Sequence, residues 1–186
     1  MRTMNWKSTT SRYGWLPIGL HWLMLLLIIA VYCTMEFKGI YKKDTPGRDG
    51  IMMWHYMLGL SVFFLAWLRL ATRLAGPRPV IEPPLPDWLA MLAKLGHWAL
   101  YALMIGLPVL GWLTLSAKGE PIPFFGAELP ALIGKDTALA KTLKYVHETL
   151  ATAGYFLLGL HAAAALYHHY VRRDNTLRVM LPGAGD

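Results

Sequence analysis

Formal charge is missing from four long stretches of this 186-residue chain: Pro17 to Met35, Ile51 to Leu68, Leu95 to Ala117 and Thr149 to Val171. Charged residues make up 16% of the whole and hydrophobic ones 55%, whereas soluble domains are about a quarter charged. That shortage excludes an ordinary soluble domain. Cysteine occurs once. Cys33 alone excludes a disulfide framework and any multi-cysteine zinc or iron–sulfur site within the chain, and inside an apolar run it reads as a small buried hydrophobe. No C-x-x-C-H is present, which excludes covalent haem attachment. The absence of carboxylates from the apolar runs counts against a di-iron site of the Glu-x-x-His kind, and a four-ligand zinc site is equally poorly supplied. Internal repeats and low-complexity tracts are also lacking.

What remains is apolar sequence of membrane length. Each uncharged run is 18 to 23 residues long, and a helix needs about 20 to cross roughly 30 Å of hydrocarbon. The expected fold is all-α, an integral membrane four-helix up-and-down bundle with transmembrane helices at roughly 17–35, 51–69, 95–117 and 146–171, forming a single membrane domain over residues 1–186. Residues 1–16 are polar and basic, show no small-residue cleavage site, and precede a full-length apolar run, so they read as retained rather than as a signal peptide.

The connections follow from their composition. Residues 36–50 read as a short turn-rich loop, and 69–94 as a longer loop kept extended by prolines 77, 79, 83, 84 and 86. In the third loop, 118–144, Asp136-Thr137 is a helix cap that starts the fourth helix some two turns before the membrane. Trp15, Trp22, Trp54, Trp88, Trp98 and Trp112 fall mostly near span ends, where amphipathic rings prefer the interface.

The net charge of +7 is dispersed in short blocks rather than along one basic face, which argues against nucleic acid as a partner and for membrane lipid. Ten basic residues lie in the N-terminus, second loop and C-terminal tail (Arg2, Lys7, Arg12, Arg69, Arg73, Arg78, Lys94, Arg172, Arg173, Arg178), against eight in the first and third loops (Lys38, Lys42, Lys43, Arg48, Lys118, Lys135, Lys141, Lys144). The excess favours cytoplasmic termini. The eight on the outer loops could steer a small anion or could contact lipid headgroups.

The last apolar stretch organises the rest. Fourteen residues separate His147 from His161, which on a helix puts them, with Gly154 between, within about 40° on one face and roughly 21 Å apart along the axis. Depth at 1.5 Å per residue then pairs the histidines. His21 lies about 22 Å below Glu36 and His161 about 20 Å below Glu148, while His55 is about 9 Å inside Asp49 and His147 about 4–5 Å inside Lys144. Two bis-histidine levels follow, His21 with His161 and His55 with His147. A single histidine in a span is often no more than an interhelical hydrogen bonder, but the matched depths favour ligands. Two imidazoles suit a haem iron, whose macrocycle supplies four nitrogens. With both axial positions filled, electron transfer is favoured over oxygen activation. By the same ruler His97 and His168 fall too far inward to join the His21–His161 level. They read as interfacial, snorkelling or hydrogen-bonding residues, with a quinone or proton-exchange role second. His169 points off the stripe.

The runs VHETLATAGYFLLGLHAAAALYHHY with RRDNTL, IGLHWLMLLLIIAVYCTMEFKG, and MMWHYMLGL resemble the bacterial di-haem cytochrome b-561 family over nearly the whole chain. They are more distantly similar to the cytochrome b subunits of hydrogenases and formate dehydrogenases. The resemblance implies a bundle in the bacterial inner membrane, two haem b groups, and axial ligands at His21, His55, His147 and His161. It further implies, since some members are described as superoxide oxidases, transfer of an electron from superoxide at the periplasmic face to ubiquinone. Arg12-Tyr13 matches the family's pattern, with Arg12 either pairing with a haem propionate or serving as a positive-inside anchor. The alternative is a haem-b electron-transfer subunit that docks a dehydrogenase or hydrogenase partner. A transporter would need charged or broken spans, and only Pro108 interrupts one.

Overall fold

The structure is a computed structural model and describes residues 6–182; Arg2, counted in the charge comparison above, lies outside them. Four helices carry the chain: α1 (Trp15–Phe37), α2 (Pro46–Leu74), α3 (Asp87–Lys118) and α4 (Thr137–Tyr167). All four are long and apolar enough to cross a membrane. The fold is all-α. A 3-10 turn (Lys38–Ile40) follows α1, a π-helical turn (His168–Arg172) ends α4, and a second 3-10 turn (Arg178–Met180) closes the tail.

Each helix outruns its uncharged segment. Residues 46–50, 70–74 and 87–94, expected as loop, are helical, and 137–146 form the start of α4 that the Asp136 cap led one to expect ahead of the membrane. Charged residues at the end of a span keep their backbone hydrogen bonds while their long side chains reach outward, so charge marks the edge of the apolar slab and not the end of the helix. One consequence corrects the view that no charge lines a span: α2 continues through Arg69 and Arg73. The prolines confine the non-helical part of the second connection to residues 75–86, and Pro86 is the last of them before α3. The cap at the start of α4 is as expected, with the Asp136 carboxylate accepting from the Ala138 and Leu139 amides at 3.0 Å each.

The third connection also contains two strands the sequence did not announce. β1 (Ile122–Phe124) pairs antiparallel with β2 (Ala127–Leu129). The intervening Phe125 and Gly126 have φ of 46° and 86°, the two positive values a type I′ turn demands. Only glycine takes such a φ freely, and Phe125 is an unusual occupant of the other position.

The contacts divide the chain into two compact units: Met1–Leu23, Trp67–Ala102 and Gly154–Asp186 form the first, Met24–Ala66 and Leu103–Ala153 the second. In the second unit, Met24, Val62 and Ala66 form one buried cluster, and Leu60, Leu115 and Ile122 another, against which Tyr56, Trp112, Phe124 and Leu129 pack. The hairpin therefore belongs to the core of this unit. Polar tethers hold the same connection to α3: Trp112 Nε1 donates to Pro130 O at 2.9 Å, Leu132 N to Ser116 Oγ at 3.1 Å and Asp136 N to Ala117 O at 2.8 Å.

In the first unit polar bonds latch the tail, and Val179 is buried with it. Trp22 Nε1 donates to Met180 O at 2.8 Å, Asn175 exchanges bonds with Glu82 N and Val80 O at 3.0 Å each, and Asp174, 2% exposed, meets His168 Nδ1 at 2.5 Å. Burial works to raise the Asp174 carboxyl's pKa, yet hydrogen bonds from His168 and Thr176 outweigh it and hold the group below its ordinary value. Gly14 lets the N-terminal segment close on itself, since a Cβ there would stand 2.3 Å from the Trp6 carbonyl oxygen. Outward faces are apolar: Phe156 is 76% exposed and Leu160 68%, a surface suited to lipid.

Candidate haem-binding site

In the second unit His55 comes from α2 and His147 from α4, with ring centroids 6.2 Å apart and planes at 72°. Their protonation follows from their neighbours. Thr34 Oγ1 donates its one hydrogen to Val31 O at 2.5 Å, so in its 3.0 Å contact with His55 Nδ1 the imidazole donates. Val31 O, 3.4 Å from the same nitrogen, can only accept. His147 Nδ1 lies 3.0 Å from the Leu107 carbonyl, which also can only accept. Both rings thus carry hydrogen on Nδ1 and leave the Nε2 lone pair available, the tautomer that metal-bound histidines adopt. The acceptor for His147 sits directly before Pro108, and Gly111, one turn on, leaves its ring room: a Cβ there would already touch His147 Cε1 at 3.5 Å.

In the first unit α1 supplies His21 and α4 supplies His161, at 6.4 Å and 76°. A third imidazole joins them. His97 of α3 lies 5.5 Å from His161, with Nδ1 donating to Ala93 O at 2.6 Å. The expectation that His97 falls too far inward is therefore wrong. His97 was measured from Lys118 at the end of α3 and His161 from Glu148 in α4, whereas the bond between Asp136 N and Ala117 O ties α4 to the end of α3 twelve residues before Glu148. At the helical rise that error places His161 about 18 Å too shallow.

The separations can be compared with what one metal requires. An imidazole–metal bond is about 2.0–2.1 Å, and the ring centre lies about 1.1 Å beyond the nitrogen, so two rings in trans on one ion stand about 6.2–6.4 Å apart. Both expected pairs, at 6.2 and 6.4 Å, meet that figure, and His97–His161 at 5.5 Å does not. Edge-to-face packing of rings alone also allows about 4.5–7 Å, so for His55 and His147 the free Nε2 atoms add what distance does not. Among the described residues no group of three or more His, Cys, Asp or Glu has the geometry to hold a metal. A metal held by either pair would need its other donors from a cofactor such as a macrocycle. The residues fit a b haem.

The other candidates are placed differently. Arg12 Nη2 donates to Leu181 O at 3.4 Å, tying the start of the chain to the tail. His168 is buried and bonded to Asp174, so of the roles considered for it hydrogen bonding holds and snorkelling does not. His169 Nδ1 is buried without a partner among the described residues. Thr34 and Leu107 were missed because they act on an imidazole's Nδ1. Arg69 was missed although it follows His55 by the same fourteen residues that separate His147 from His161.

Residues 12–183 match the family model described as prokaryotic cytochrome b561. The chain is 39% identical over 172 residues to a Yersinia pestis protein named as a probable superoxide oxidase, CybB, covering 92% of this chain and 97% of that one. It is 35% identical to cytochrome b561 homolog 1 of Escherichia coli K12 over 92% and 98% of the two chains, and 28% identical to homolog 2 of the same organism over 96% and 95%. With four membrane-length helices, paired imidazoles and a family model spanning nearly its full length, the chain belongs to the prokaryotic cytochrome b561 family, multi-pass bacterial membrane proteins that transfer electrons through haem b.

Proposed function

We propose that the protein holds two b haems, one between His55 and His147 and one between His21 and His161, and passes electrons from superoxide at the periplasmic face to ubiquinone in the inner membrane, with both termini cytoplasmic. The observation that carries the ligand assignment is the agreement of both imidazole separations with a single shared ion. A bis-imidazole haem, once bound, exchanges one electron without opening a coordination position. The chain's own work is to hold the rings: α4 gives one imidazole to each pair, and Thr34 and Leu107 fix the Nδ1 hydrogens of His55 and His147. Superoxide as donor is supported by the name of the Yersinia pestis relative. The overall reaction balances as two superoxide anions, one quinone and two protons giving two dioxygen molecules and one quinol. The chain works as one membrane domain in this reading.

Electrostatic steering contributes little. The eight basic residues of the outer loops all belong to the second unit, which also contains Glu36, Asp44, Asp49, Glu120, Glu128, Asp136 and Glu148. Eight against seven leaves +1, and two of the lysines already face carboxylates: Lys118 lies 3.5 Å from Glu120 and Lys144 3.7 Å from Glu148. Counting only the cations overstated the field. The rate with superoxide should therefore fall only about twofold between low salt and roughly 0.15 M; a fall beyond tenfold would restore steering.

Removal of an outer hydrogen-bond partner tests the ligand geometry. Thr34→Val should make one haem leave about tenfold faster to excess apomyoglobin while the other is unaffected, and equal loss of both would contradict the assignment of His55 to a single site. The function itself is tested in proteoliposomes containing ubiquinone. A superoxide flux should reduce the haems and yield quinol. Haems indifferent to superoxide, in a protein that copurifies with a dehydrogenase or hydrogenase, would favour the electron-transfer subunit instead.

A further inference from the structure

Arg69 and Tyr101 lie against one another, and each keeps a buried polar atom that no hydrogen bond among the described residues satisfies. Arg69 Nη1 and Tyr101 Oη are buried with no hydrogen-bond partner among the described residues, and Tyr101 as a whole is only 5% exposed. Arg73 lies over the Tyr101 ring with its guanidinium carbon 5.7 Å from the centroid, fixing the ring by a cation–π contact. Tyr101 stands one helical turn from His97 on the same face of α3, and the His97 ring lies 5.5 Å from that of His161. Among the described residues no carboxylate forms an ion pair with Arg69 or Arg73, and Asp174, buried in the same unit, is engaged by His168 and Arg172.

A guanidinium in a membrane-spanning helix is costly unless it reaches water or meets an anion. Arg69 does neither with Nη1. Snorkelling would expose that nitrogen, and it is buried. Two cations and a hydroxyl without a counter-charge, beside a pair of imidazoles spaced for one ion, describe the donor half of a carboxylate site. Arg12, by contrast, has a guanidinium nitrogen already committed to Leu181.

We infer that Arg69 and Tyr101 together bind one propionate carboxylate of the haem held by His21 and His161. This rests on the proposed ligand assignment. The planar guanidinium offers two parallel N–H donors to a carboxylate, and the phenol a third. Charge neutralisation there would stabilise the buried Arg69 in the loaded protein and favour the reduced haem, since a cation nearby offsets the added electron.

The test uses the whole protein in nanodiscs, loaded biosynthetically with haem carrying ¹³C at the propionate carboxyls. Redox-difference infrared spectra identify the labelled carboxylate bands, and a spectroelectrochemical titration gives each haem's midpoint. His161→Ala first identifies the haem concerned by its disappearance. Arg69→Gln should move a labelled band and make that haem's midpoint more negative while leaving the other unchanged. Arg69→Lys should restore most of the midpoint, and Tyr101→Phe should move the same band with the haem retained. Should Arg69→Gln lose the haem, the Tyr101→Phe spectrum decides alone. Labelled bands unmoved in every Arg69 and Tyr101 variant that keeps the haem would overturn the inference and assign the donors to another ligand, such as a quinone carbonyl. Retention of both haems in His161→Ala would instead overturn the ligand assignment.

Discussion

Replacing His161 by alanine is expected to take the haem content from two per chain to one, and replacing His97 to leave it at two. Both residues lie in one imidazole cluster, so burial or proximity alone would not separate them. Geometry does. His161 stands 6.4 Å from His21, the separation two Nε2 ligands on one ion impose, whereas His97 approaches His161 to 5.5 Å, too near to share an ion across from it. His97 also has its Nδ1 hydrogen committed to the Ala93 carbonyl of its own helix, a bond that holds the ring along α3. Loss of an axial ligand from a non-covalent haem removes half of its protein bonds to iron. The pyridine haemochrome ratio for the two variants distinguishes them, and a His97→Ala protein with one haem would mean that the third imidazole is a ligand after all.

The second large effect concerns the tail. Asp174→Ala should release residues 174–182 locally, raising their amide exchange roughly 100-fold, the equivalent of about 3 kcal/mol for breaking a buried ion pair by removing one partner. Asp174 is 2% exposed, accepts from His168 at 2.5 Å and from Thr176 N at 3.0 Å, and lies 3.5 Å from Arg172 Nε, so the substitution strands three partners at once. The pH dependence follows from the direction of its shift. Because the folded-state pKa is depressed, the carboxylate's contribution is complete above the ordinary value near 4 and is lost as pH falls through the folded one. Protection of the native tail, taken relative to the intrinsic exchange rate at each pH, should therefore fall below about pH 4, and the variant should show no such step. Exchange unchanged by the substitution would make the tail's attachment the work of Arg12, Trp22 and Asn175 instead.

Uncharged run length was enough to find α1 to α4, because hydrocarbon thickness imposes it directly. Their ends were less legible, since Arg69 and Lys94 are charged yet helical. The hairpin escaped notice because Phe125-Gly126 lacks the usual Asn-Gly or Asp-Gly signal and its strands are three residues each. His55 does lie beside His147 and His21 beside His161, although the depth zero in α4 that paired them was set too far along the helix. The same zero excluded His97, because the depth of His161 was counted from the charge of Glu148 rather than from the helix cap at Asp136. The partners of the imidazoles could not be read at all: Thr34 acts through a hydroxyl and Leu107 through a backbone carbonyl, and neither residue type signals such a role. Arg69 was visible as a spacing but not as a buried charge, which needs the neighbours to be known.

The proposal that His55 with His147, and His21 with His161, would each hold one haem is tested most directly by the electron paramagnetic resonance spectrum of the oxidised protein. The ring planes cross at 72° and 76°. Crossed planes leave the two iron orbitals that accept imidazole π-density nearly degenerate, which gives a strongly anisotropic low-spin signal, while parallel planes split them and give a rhombic one. Two strongly anisotropic low-spin haems per chain are predicted, one vanishing in His161→Ala. A high-spin haem, or a single low-spin haem per chain, would contradict the paired-imidazole account.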